Sequence, residues 1–170
     1  MMYANNILKE IKSLGLNKDD SIVHFGFCDN ELNFLDEIKK HDLEIFYLGV
    51  DTSDKVEESI IEYEESQNYA FQKRTLQDFL DNENHIFNYV LITGIFDKPV
   101  YEEKQYIFIS SVIDRCFSLA HNIVFTMDVE KYRKDYNFSI LYVINNIINI
   151  YDRVNIKKIN NTKYIFSISH

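Results

Sequence analysis

Residues able to do chemistry gather at three places in this chain, each where an apolar run ends. His24-Phe25-Gly26-Phe27-Cys28-Asp29-Asn30 closes the first run, Gly49-Val50-Asp51-Thr52-Ser53 the second, and Thr93-Gly94-Ile95-Phe96 a later one. The chain has only 4 glycines, and Gly26, Gly49 and Gly94 fall in these segments. Glycine lets a backbone approach a ligand closely or take a positive φ. Asp51 stands where nucleotide-binding sheets accept hydrogen bonds from ribose hydroxyls; the alternative is a solvated acid before a helix. His24 fits either a catalytic base, since imidazole titrates near neutrality, or a strand-end histidine bonded to backbone. Cys28 could be a nucleophile if a helix N-terminus lowered its pKa, although no base is paired with it in the sequence. Lys131, Arg133 and Lys134 could hold an anionic acceptor or form a solvated helix start, where the helix dipole does not favour cations. His41, His85 and His121 lack metal-ligand spacing, and Cys28 and Cys116 form no CxxC, so no metal site is expected.

Alternating elements must position these segments. Apolar runs predict strands at residues 21–25 (SIVHF), 44–50 (EIFYLGV), 69–73, 87–93 (FNYVLIT) and 123–127. Helical spacing predicts helices at 4–14, 31–40, 53–66, 102–120 and 132–149. Gly15 is expected to end the first helix and Asn122 to end the long fourth one, both through left-handed backbone, and Ser53 to N-cap the third. Pro99 breaks the chain before the 102–120 helix. Residues 153–158 and 163–169 flank Asn160-Asn161 and predict a closing hairpin. Strand alternating with helix implies an α/β, doubly wound, mostly parallel sheet with helices on both faces. Such sheets bind ligands at the carboxyl ends of their strands, where the three segments fall.

Composition narrows the function. At 170 residues the chain suits one domain, and 46% apolar residues with 25 Phe and Tyr supply a core without disulfides or metal. A net charge of −9 argues against gripping a phosphate backbone or an anionic membrane surface. No apolar run reaches the roughly 20 residues of a membrane span, and MMYANNILKE lacks the apolar core of a signal peptide, so a cytoplasmic protein is expected. No GxGxxG follows the first strand, which weakens a nicotinamide dehydrogenase reading. Partners left open are a small-molecule, glycan or protein acceptor, a protein partner, or a second copy of the chain.

In this order, the motifs resemble those of class I S-adenosylmethionine-dependent methyltransferases, over residues 21–170. SIVHFGFCDNELNF resembles that family's first strand and glycine loop, FYLGVDTSDKVEESI its ribose-binding second strand, TLQDFLD its adenine-contacting segment and FNYVLITGIFD its fourth strand. FSLAHNIVFTMD resembles the junction into strand five. The resemblance implies a single Rossmann-like domain over 1–170, with seven strands ordered 3-2-1-4-5-7-6 and the last strand antiparallel. It implies a helix or lid within 1–20, whose other role would be to cap the sheet edge. It implies S-adenosylmethionine as cofactor, bound by His24, Gly26, Cys28, Asp51, Thr52, Asp78, Phe79, Thr93 and Gly94. The first loop departs from the pattern, with His24 where the family has an acid, and Cys28 and Asn30 where it has glycines. If His24 faced the cofactor's ammonium group, affinity would fall as pH drops through the histidine range near 6.5. Asn88 replaces a strand-four acid whose role is structural. The aromatic motif of nucleic-acid amino methyltransferases is absent after strand four. The expected function is methyl transfer to a small-molecule, glycan or protein acceptor; the alternative is a non-catalytic binding or scaffold protein with a weakened or lost cofactor site.

Overall fold

The structure, a computed structural model, describes residues 2–28, 34–63, 66–97, 102–129 and 140–169. Seven strands form one sheet: β1 (Ser21–Phe25), β2 (Phe46–Asp51), β3 (Tyr69–Lys73), β4 (Phe87–Ile92), β5 (Ala120–Asp128), β6 (Arg153–Lys158) and β7 (Lys163–Ser169). Their order is β3-β2-β1-β4-β5-β7-β6. Pairs from β3 through to β5 are parallel, and β7 runs antiparallel to both β5 and β6. Ile22 sits opposite Tyr89 and Val23 opposite Val90, so β1 and β4 are neighbours at the centre, as the resemblance implies. Below them Asn88 accepts hydrogen bonds from the Ser21 amide (2.8 Å) and hydroxyl (2.9 Å), a purely structural tie between the two strand starts.

Among the described residues the helices are α1 (Met2–Ser13), α2 (Phe34–Lys40), α3 (Lys55–Glu62), α4 (Leu76–Asn82), α5 (Glu102–Cys116) and α6 (Ile140–Ile150), with a 3-10 turn at Ile95–Asp97. None is long and apolar enough to cross a membrane. Strand alternation splits the core between the two faces of the sheet. Ile22, Tyr47 and Leu91 pack against Ile7, Leu8 and Ile11 of α1 and Phe34 of α2. Val23, Phe25 and Ile92 pack against Phe79 of α4 and Ile109 of α5.

Several boundaries differ from the expectations. Gly15 does end α1, with φ +98°, and α1 lies across a sheet face beside α2 and β5. It is anchored there by buried Glu10, whose carboxylate accepts bonds from Ser167 and Asn155 at 2.6 Å each. Asp54, not Ser53, is the N-cap residue of α3, and its side chain caps nothing; Ser53 Oγ instead accepts from the Lys55 amide at 3.3 Å. Helix α5 stops at Cys116, and Ala120 and Asn122 belong to β5, because strands on both sides claim them: Asn122 pairs with Tyr89 of β4 and Ser169 of β7. Helix α4 was not expected; Thr75 N-caps it by accepting from the Asp78 amide. Asn160 makes the hairpin turn, accepting from the Thr162 and Lys163 amides at 2.9 and 2.8 Å. Asp29, Asn30, Pro99, Lys131, Arg133 and Lys134 lie outside the described residues.

Candidate functional site

A cavity of about 490 Å³ opens at the carboxyl ends of β1, β2, β3 and β4, within the ~300–1,000 Å³ usual for small-molecule sites. Every strand contributes by the residues at or just past its tip. Phe25, Gly26 and Cys28 come from β1, and Thr93, Gly94 and Ile95 from β4. Val50, Asp51, Thr52 and Ser53 come from β2, with Lys55 opening α3. Arg74, Thr75 and Leu76 come from the turn between β3 and α4. Of the residues proposed from the sequence, the fold thus brings together Gly26, Cys28, Asp51, Thr52, Thr93 and Gly94.

Asp51 is the hub of this arrangement. Its Oδ2 accepts from the Cys28 amide at 3.2 Å and its Oδ1 from the Ser53 amide at 2.9 Å. The carboxylate therefore ties the loop after β1 to the loop after β2. A carboxylate offers about four acceptor sites, so both oxygens keep capacity for hydroxyls of a ligand. Gly26 (φ +78°) and Gly94 (φ +69°) both need left-handed backbone. A Cβ at Gly26 would stand 2.0 Å from the Thr93 carbonyl oxygen, so the β1 and β4 loops touch backbone to backbone there.

Four sequence-based assignments fall elsewhere. His24 does not line the cavity. It is fully buried on the α1–α2 face, edge-on to Phe34 and Tyr47. Nδ1 lies 2.7 Å from the Tyr47 hydroxyl and Nε2 2.7 Å from Thr93 Oγ1. Burial lowers its pKa to about 3, so the imidazole is neutral. Its bonds go to side chains, not to backbone. Phe79 is buried in the core, edge-on to Phe25 and beneath the Arg74 guanidinium. Asp78 faces outward and accepts from Arg74 Nε at 2.7 Å. Capping by Thr75 turns Asp78 and Phe79 into the first turns of α4, and leaves Arg74, Thr75 and Leu76 as the cavity wall. Gly49 makes no room for a ligand: the rings of Phe27 and Phe71 cover it, each 2.8 Å from where a Cβ would stand.

Cys28 lines the cavity as a thiol. Burial, then the Asp51 carboxylate, pushes its pKa up to about 11, against the pull of Lys55 and Ser53. That is the opposite of what a nucleophile needs. The wall residues Arg74, Thr75 and Leu76 escaped sequence reasoning. The available signal was the spacing of Thr75 and Asp78, a helix-start pattern.

No protein-family model matches the chain, and no curated protein matches it either. Solved structures do. The bifunctional kinase-methyltransferase WbdD superposes with a TM-score of 0.67 at 8% identity, over 99% of this chain and 38% of that one. The chain therefore spans about two fifths of the WbdD chain. Ribosomal protein L11 methylase from Lactobacillus delbrueckii subsp. bulgaricus gives 0.61 at 13% identity, over 98% and 78% of the two chains. DhpI, in its complex with SAH, gives 0.64 at 10% identity, over 96% and 82%. At these identities the likeness establishes architecture. With its strand order, its antiparallel β7 and its cavity at the central strand tips, this chain has the class I S-adenosylmethionine-dependent methyltransferase fold.

Proposed function

We propose that the cavity binds S-adenosylmethionine and that the protein transfers its methyl group to a small-molecule, glycan or protein acceptor. The observation that carries this reading is Asp51: a carboxylate at the tip of β2, braced by two amides and turned to the cavity with acceptor capacity left. The residues present fit an adenosyl ligand. Asp51 would take the ribose hydroxyls, Leu76 and Ile95 offer apolar surface for a base, and the positive-φ Gly26 and Gly94 leave the central strand tips without side chains. Bound cofactor supplies an electrophilic methyl group; the chain's own part is to hold cofactor and acceptor in line, the proximity effect that dominates such transfers.

A second reading, a binding protein that keeps the fold without turnover, is favoured by one observation. His24 of β1 is neutral and turned into the core, so it gives the cavity no charge for a cationic ligand. Calorimetry with S-adenosylmethionine and S-adenosylhomocysteine tests both readings. Binding by the wild type, weakened about tenfold or more in Asp51→Ala through lost charge-assisted bonds, supports an adenosyl site. Equal affinity in the folded variant, or no binding by the wild type, refutes it. Binding without methyl loss, across acceptors of all three classes, would select the second reading.

A further inference from the structure

The geometry points to His24 as a positioning residue, which sets the first loop of the cavity through a directional chain of buried hydrogen bonds. Thr93 Oγ1 donates its single proton to the Gly26 carbonyl oxygen at 3.0 Å. Its oxygen must then accept from His24, 2.7 Å away, so the imidazole carries its proton on Nε2. A neutral ring with Nε2–H has a bare Nδ1, and the Tyr47 hydroxyl donates to it at 2.7 Å. Donors run one way: Tyr47 to His24, His24 to Thr93, Thr93 to the carbonyl of Gly26. Three strands (β2, β1 and β4) are stitched across the sheet, and the chain ends on the residue whose backbone bears on the cavity.

Phe34 and Tyr47 close over the ring, and burial keeps the Tyr47 phenol protonated. Gly26 needs the hold because its conformation is left-handed and its amide already spans to Val50 O at 3.1 Å. The next bonded amide, Cys28, reaches Asp51. His24 thus touches no ligand, yet it fixes the loop that lets Asp51 brace both sides of the cavity. The consequence for a ligand rests on the adenosyl reading above; the consequence for the loop does not.

Amide hydrogen exchange on His24→Gln, His24→Leu and Thr93→Val separates positioning from bulk stability. Glutamine has an amide donor for Thr93 and a carbonyl acceptor for Tyr47, whereas leucine has neither. Each of His24→Leu and Thr93→Val removes two links of the relay, so exchange at Gly26 and Cys28 should be at least about tenfold faster, relative to amides of β7. His24→Gln stays within about threefold of wild type. Exchange accelerated equally across the sheet, or a glutamine variant that behaves like leucine, overturns the assignment. If His24→Leu does not fold, Thr93→Val and His24→Gln still decide it. A nitrogen-shift measurement showing the Nδ1–H tautomer would also overturn it. S-adenosylhomocysteine is the ligand probe: about tenfold weaker binding in His24→Leu, rescued by His24→Gln, supports the coupling to the cavity. Absence of binding in wild type defeats the adenosyl reading, while the exchange ratios decide the relay by themselves.

Discussion

Acid should unfold this protein partly through a single imidazole. In the native state burial holds His24 neutral down to a pKa of about 3, whereas in the unfolded chain a histidine titrates near 6.5. Below that value the unfolded ensemble takes up a proton that the native state refuses. The stability linked to His24 is therefore fully present above pH 6.5 and is lost as pH falls, by about 1.4 kcal/mol per unit toward the native pKa. At pH 5 the accumulated loss is about 2 kcal/mol, a large part of the ~5–15 kcal/mol that holds a typical domain. Urea denaturation followed by circular dichroism at pH 7.5, 6.5, 5.5 and 5.0 reads it directly. With a urea m-value of about 2 kcal/mol/M, the midpoint should drop by about 1 M between the extremes from this group alone. The comparison is with His24→Gln, which lacks the titrating ring. Glutamine lowers the curve at pH 7.5 but should flatten its fall. Parallel curves for wild type and variant would refute the reasoning, because they would mean that His24 binds its proton equally in both states.

Two further outcomes follow from the loops at the cavity. Gly26→Ala should destabilise the fold by more than about 2 kcal/mol in urea titration, since its Cβ would meet the Thr93 carbonyl oxygen at 2.0 Å from a backbone with φ +78°; a variant as stable as wild type would mean that the two loops do not touch. Cys28 should alkylate with iodoacetamide at pH 8 at least about tenfold more slowly than free cysteine, because burial and Asp51 raise its pKa to about 11 and leave little thiolate. Fast, stoichiometric labelling located at Cys28 by mass spectrometry would contradict that account.

Much of the fold was legible because it depends on local pattern. A β-branched apolar run marked β1, aromatic residues β3, and the hairpin pattern around Asn160-Asn161 β6 and β7, all to the residue, and the placing of scarce glycines pointed to the edge where the cavity lies. Helix α4 was missed because its apolar spacing, Leu76, Phe79 and Leu80 at i, i+3, i+4, runs over only 7 residues, of which Phe79 alone is buried. The long helix was overextended because Ala120 continues its apolar spacing, and only pairing with β4 and β7 draws that stretch into a strand.

By itself the sequence determined the succession of strands and of every helix but α4, the loops that meet at the cavity and the carboxylate at its centre, because periodicity, turn chemistry and the position of Asp51 are written over a few neighbouring residues. The tertiary structure alone decided what His24 is. Its two partners lie 23 and 69 residues away along the chain, and strand register together with complete burial, neither of them a local property, turned a candidate cofactor ligand into a neutral link inside the core. The same holds for the cavity wall at Arg74, Thr75 and Leu76: the cap of a short helix set by its packing, not the residue types of the motif, chose which side chains face the cavity.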